Sequence, residues 1–142
     1  MTQEFLKLVG SENQATIINI ASGTAIATIP HTSSYALSKL IQVQIQRFVG
    51  IENPNIVAVS IEPGTVMTAI TKPAFVKFNL DTFELAGGVA VWLITEKAKF
   101  MNGRFMAAQW SVDELMEREK EIVDGGLLLE GLQGKFGKAQ FQ

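Results

Sequence analysis

The sequence predicts an α/β protein built on about three parallel strands with crossover helices. Two observations carry that reading. Short runs rich in Ile with Thr or Val, at residues 15–20 and 55–61, and a short third run at 104–108, alternate with longer stretches of helical periodicity. The resulting order, strand, helix, strand, helix, strand, is that of a parallel sheet with right-handed crossovers.

Residues 3–9 read as the tail of a helix that stops at Gly10. Ala15 to Ile20 is a short β-branched run, expected to be a buried strand. Residues 22–32, rich in Ser, Thr, Gly and Pro, form a loop. A long helix follows from about Ser34 to Val49, with Ser33 as its cap and Gly50 as its end. Its apolar face is Leu37, Leu40, Ile41, Ile45 and Phe48. Asn55 to Ile61 is the second strand, stopped by Pro63-Gly64. Residues 65–80 look irregular. Asp81 can cap a helix running to about Thr95, and Arg104 to Ala108 makes the third strand. A charged helix over 112–123 and a glycine-rich tail from Gly125, expected to be only partly ordered, complete the chain. The whole reads as one domain over residues 1–142, with a core to residue 108 and an extension over 109–142.

Bulk composition narrows the functional classes. At 47% hydrophobic and 18% charged residues, the 142-residue chain has the makings of an ordinary core. A net charge of −2 gives no basic field for nucleic acid or anionic membrane. Without cysteine, and with one histidine, no metal centre is expected. The longest nearly apolar run, Leu85 to Ile94, is too short to span a bilayer, and the N-terminus lacks the pattern of a signal peptide. A cytoplasmic protein is the expectation. His31 reads as a loop residue, and Trp92 and Trp110 as packing.

Ligands of an open α/β sheet bind beyond the carboxyl ends of its strands. Three polar features fall there: Ser22 after the first strand, Tyr35 and Lys39 at the start of the helix that follows, and Pro63-Gly64-Thr65-Val66-Met67-Thr68 after the second strand. Residues four apart share a helix face. An ammonium beside a phenol favours the phenolate, bringing tyrosine closer to general acid/base work. A nearby serine hydroxyl can donate to a carbonyl oxygen as charge builds on it.

Ser22, with Tyr35-Ala36-Leu37-Ser38-Lys39 thirteen residues on, resembles the serine and YxxxK signature of short-chain dehydrogenases/reductases. The run Ile17-Ile18-Asn19-Ile20-Ala21-Ser22 matches the segment before that serine, and Pro63-Gly64-Thr65-Val66-Met67-Thr68 is similar to the family's PG loop. The match runs from roughly residue 3 to 108, and the tail resembles an extension of fungal members. The resemblance implies hydride transfer between NAD or NADP and a small-molecule carbonyl or secondary alcohol. Tyr35 would move the proton, Lys39 would tune it and hold the nicotinamide ribose, and Ser22 would orient the carbonyl. Pro63 and Gly64 would shape the loop in which the Val66 amide and the Thr68 hydroxyl hold the nicotinamide carboxamide. Ile70, Phe75 and Phe78 would line the substrate loop.

The chain departs from the family in one large respect. No glycine-rich turn for pyrophosphate precedes Ser22. The family's active-site asparagine is also absent, since Asn13 lies in a loop. At about 30 residues per βα unit, four absent units amount to ~100 residues, so the chain is expected to lack the N-terminal strands and begin inside the helix before the serine strand. A non-catalytic remnant, pairing with itself or with a complete homologue, is the alternative of a different class. Competing motifs fail: residue 36 is alanine where a Ser-x-x-Lys pair needs serine, Ser22 has no glycine two residues before it, and Gly134-Lys135-Phe136 is no phosphate loop.

Overall fold

The computed structural model describes residues 1–69, 71, 77 and 81–131. In chain order, α1 spans Thr2–Val9, β1 Ala15–Ile20, α2 Ser33–Glu52 and β2 Ile56–Glu62. These are followed by α3 Phe83–Leu93, β3 Phe105–Ala107, α4 Val112–Glu117 and α5 Glu119–Asp124. Single 3-10 segments lie over Gly23–Ala25 and Glu96–Met101.

The strands form one parallel sheet in the order β1-β2-β3. The register pairs Ala15 with Ile56 through Ile20 with Ile61, and Ser60 with Phe105 through Glu62 with Ala107. A parallel sheet needs cover on both faces, and the central strand, β2, shows that it has it. Ile56 and Ala58 face α1 and α2, packing with Val49, Leu6 and Val9. Val59 and Ile61 face the other way, against Val89 and Leu93 of α3, Leu115 of α4 and Ile122 of α5. Trp92 packs on that side, edge to face with Phe100 at 6.3 Å, which bears out its reading as a packing residue.

Four local expectations need correction. First, α2 does not end at Gly50 but runs through it to Glu52. Glycine stands there for closeness, because a Cβ on Gly50 would lie 2.3 Å from Oδ1 of Asn102. Second, Ser33 does not cap α2. The flanking residue is Thr32, whose hydroxyl donates to the Ile29 carbonyl instead. Third, Asp81 does not cap α3. Its carboxylate accepts the N–H of Thr65 at 2.6 Å, and Thr82 flanks the helix. Fourth, β1 is not a buried strand: its residues are half-buried, and Ile20 is exposed. The tail, as far as it is described, is tied to the rest of the chain. Leu128 accepts the Phe105 N–H at 2.9 Å, Leu127 accepts from Arg104, and Glu130 accepts from Arg47. Residues 132–142 lie outside the described residues, as do Ile70, Phe75 and Phe78.

The apolar stripe of α2 also divides differently. Leu40 packs inward beside Val43, while the buried positions further along are Gln46, Val49 and Gly50. Leu37, Ile41, Ile45 and Phe48 stay 44–60% exposed. The charged helix over 112–123 is two short helices meeting at Arg118, which pairs with Glu114 and Glu121 on the exposed side.

Candidate active site

Everything in the site hangs from the carboxyl ends of β1 and β2. β1 ends at Ile20, and Ser22 opens the 3-10 turn that follows. The Ser22 hydroxyl oxygen accepts the Thr24 N–H at 3.3 Å and the Thr24 hydroxyl at 3.1 Å. Both contacts use lone pairs, so the serine proton stays available to a third partner.

Tyr35 lies in the first turn of α2, 43% exposed. Lys39 follows one turn later on the same face. Its Nζ donates to the Ile20 carbonyl at 2.7 Å and sits 5.7 Å from the centroid of the Tyr35 ring. The ammonium is thus fixed between the phenol and the strand end that carries Ser22. A cation over an aromatic face is attracted by the ring quadrupole, and here it also brings positive charge to the phenol. The structure therefore gathers Ser22, Tyr35 and Lys39 at one corner of the sheet, with the first held by its turn and the third by a main-chain carbonyl.

The Pro63–Thr68 loop leaves the end of β2, the strand paired with β1. Gly64 has φ +90°, and a Cβ there would lie 2.6 Å from Oδ2 of Asp81. Both the backbone angle and the space require glycine. Further along, Thr71 ties the loop together. Its hydroxyl donates to the Val66 carbonyl at 3.3 Å, accepts the Thr68 N–H at 2.9 Å and lies 3.2 Å from the Thr68 hydroxyl. Among the described residues the N–H groups of Gly64, Val66 and Met67 have no hydrogen-bond partner, and the Thr68 hydroxyl meets that of Thr71.

Two acids that the sequence offered no motif for join the two loops. The carboxylate of Glu62, the last residue of β2, lies against Gly23. Asp81 accepts from Thr65 at 2.6 Å and from the Gln109 amide at 3.0 Å. Burial pushes the Glu62 carboxyl above the usual carboxylate range, and the like charge of Asp81 adds to it, against the lowering effect of the Gly23 N–H. The only trace in the sequence is an acid ending an apolar strand directly before Pro63-Gly64. Among the described residues no cluster of His, Cys, Asp and Glu could hold a metal ion. No helix among them is long and apolar enough to cross a membrane.

No family model matches the chain. It is 33% identical over 132 residues to the short chain dehydrogenase andI of Emericella variicolor, covering 89% of this chain and 46% of that one. It is 35% identical over 133 residues to the short chain dehydrogenase citE of Monascus ruber, covering 90% and 46%. The chain belongs to the short-chain dehydrogenase/reductase family. It spans about half the length of the curated short-chain dehydrogenases it matches. Its fold is similar to that of a 7α-hydroxysteroid dehydrogenase solved with NADH and 7-oxo glycochenodeoxycholic acid. The TM-score is 0.60 at 20% identity, over 68% of this chain and 44% of that one. The likeness establishes the fold: three parallel strands and their helices, as in the Rossmann-like sheet of short-chain dehydrogenases/reductases. The homologues make oxidoreduction the general activity of the group.

Proposed function

We propose that this chain carries the catalytic side of an oxidoreductase that interconverts a small-molecule carbonyl and its secondary alcohol with NAD or NADP. The observation that carries the reading is the position of Lys39, bonded to the Ile20 carbonyl and 5.7 Å from the Tyr35 ring, beside the turn of Ser22. When bound, the nicotinamide supplies or accepts the hydride. In reduction, the Ser22 hydroxyl and the Tyr35 phenol both donate to the carbonyl oxygen, and the Tyr35 proton passes to it. Lys39 stabilises the phenolate left behind and would hold the nicotinamide ribose. Pro63 and Gly64 set the loop whose Val66 N–H and Thr68 hydroxyl would hold the carboxamide. The Val66 N–H, without a partner among the described residues, supports that assignment.

The pyrophosphate end of a dinucleotide finds no glycine-rich turn at a helix N-terminus in this chain. Alone, the chain is expected to bind NAD(P)H weakly or not at all, and fluorescence titration giving a micromolar dissociation constant would contradict this. Joined to the N-terminal half of the Emericella variicolor relative, it is expected to oxidise NAD(P)H in the presence of carbonyl compounds. A folded, cofactor-binding fusion inert toward aliphatic, aromatic and polycyclic ketones and aldehydes would overturn the proposal.

We also propose that the chain associates with itself or with a complete homologue. Leu37, Ile41, Ile45, Phe48 and Ile51 leave a continuous apolar stripe on α2, 44–70% exposed, and β1 is an edge strand without proline or charge. Sedimentation over a concentration series is expected to show growing mass. Ile41→Glu, at a position 59% exposed, is expected to reduce it without lowering stability. A monomer at every concentration, melting cooperatively, would refute this.

A further inference from the structure

We infer that Glu62 is the positioning residue of Ser22: from the end of β2, its carboxylate holds the turn that aims the serine hydroxyl. The inference rests on the role proposed for Ser22. Its physical basis is independent of that role.

The turn has two anchors. One is internal, the Ser22 oxygen accepting the Thr24 N–H. The other comes from the neighbouring strand, where the Glu62 carboxylate lies against Gly23, near enough for the Gly23 N–H to favour its ionised form. The approach is close, since a Cβ on Gly23 would stand 3.0 and 3.1 Å from the two carboxylate oxygens. A Cβ there would require the carboxylate to give by a few tenths of an ångström. Glu62 is itself held rigidly. It pairs with Ala107 in the sheet, and its carbonyl accepts the Ala108 N–H at 2.8 Å. Ser22 is thereby referenced to the centre of the sheet and not only to its own loop.

The anchor is also set against a neighbour of like charge. Asp81, from the segment leading into α3, faces Glu62 while holding Thr65 and Gln109. β3 contributes Ala107, and Ala108 follows it, neither charged. Lys39 of α2 is engaged by the Ile20 carbonyl. Among the described residues, Asp81 is the charged group that opposes the ionised Glu62, and burial opposes it more. The sign follows from linkage. With its folded pKa raised, Glu62 holds its proton more tightly in the native state than in the unfolded chain. It thus favours folding on the acid side and loses that contribution as pH rises through the window just above the ordinary carboxylate range. At neutral pH the ionised group trades some stability for its attraction to the Gly23 N–H.

Amide spectra of the chain between about pH 4 and about pH 8 test this, because a carboxylate titration is carried to the N–H beside it. The Gly23 amide is expected to shift in one step whose midpoint lies above the ordinary carboxylate range. Asp81→Asn is expected to move that midpoint down. Glu62→Gln, which keeps an acceptor oxygen, is expected to abolish the step yet retain exchange protection at Gly23. Glu62→Ala is expected to lose about tenfold or more of that protection while the β2 amides keep theirs. A Gly23 amide that does not titrate, or that titrates equally in Glu62→Gln, would overturn the inference. If Ser22 proves dispensable for turnover, the catalytic reading fails while these spectra stand, so the two failures are separable.

Discussion

Tyr35→Phe is expected to lower turnover of the completed enzyme by about 10²–10⁴-fold, the usual worth of a positioned acid/base. The phenol hydroxyl is the group that delivers the proton in the proposed reaction, and phenylalanine keeps everything else. The ring remains over the Lys39 ammonium, and α2 loses no hydrogen bond of its own, since Tyr35 occupies an exposed position in its first turn. Steady-state kinetics of the fusion, with its melt measured alongside, decides the matter. A variant that keeps near-full turnover would mean that another group donates the proton, and the assignment of the site would fall with it.

Asn102→Ala is expected to destabilise the fold by roughly 2–4 kcal/mol, because it strips two main-chain groups of their partners at once. The Asn102 carboxamide oxygen accepts the N–H of Ala58 at 2.8 Å, and its nitrogen donates to the Gly50 carbonyl at 3.0 Å. Ala58 is fully buried in the middle of β2, and water has no ready access to replace the lost acceptor. At this position β3 has not yet begun, so the side chain stands in for a strand and extends the ladder beyond Phe105. Chemical denaturation should show the midpoint falling with the slope unchanged. Gly50→Ala should also destabilise, because its Cβ would collide with the same carboxamide. The double variant should cost less than the sum of the two. A loss below about 0.5 kcal/mol for Asn102→Ala would show that the bridge contributes little.

These two residues also mark the line between what was legible in the sequence and what was not. Tyr35 and Lys39 could be found because their relation is local: four residues on a helix share a face whatever the rest of the chain does. Ser22 and the Pro63-Gly64 loop could be placed because both follow β-branched strands, and a parallel sheet puts such ends on one side. The contact between Gly50 and Asn102 spans 52 residues, and nothing near either position announces it. Glycine's usual meaning, a helix stop, therefore won on paper and lost in the fold. Asp81 fails the same way: an acid before a helix suggests a cap, but the Thr65 amide competes for it from across the site. The stripe on α2 exposes a different limit. Periodicity shows that Leu37, Ile41, Ile45 and Phe48 share a side, but not whether this sheet or some other surface meets them.

The docked tail gives the sheet a direction. Where Leu128 takes the Phe105 N–H, with Arg104 and Arg47 fastening the flanking carbonyls, the rim beyond β3 is occupied by the chain itself. Among the described residues, nothing occupies the rim at β1. A sheet closed on one side and open on the other can be extended by one partner strand and then has nowhere left to grow if that partner is a second copy joined β1 to β1. Such an arrangement caps both free rims in a single step and favours a closed pair over an open-ended fibre.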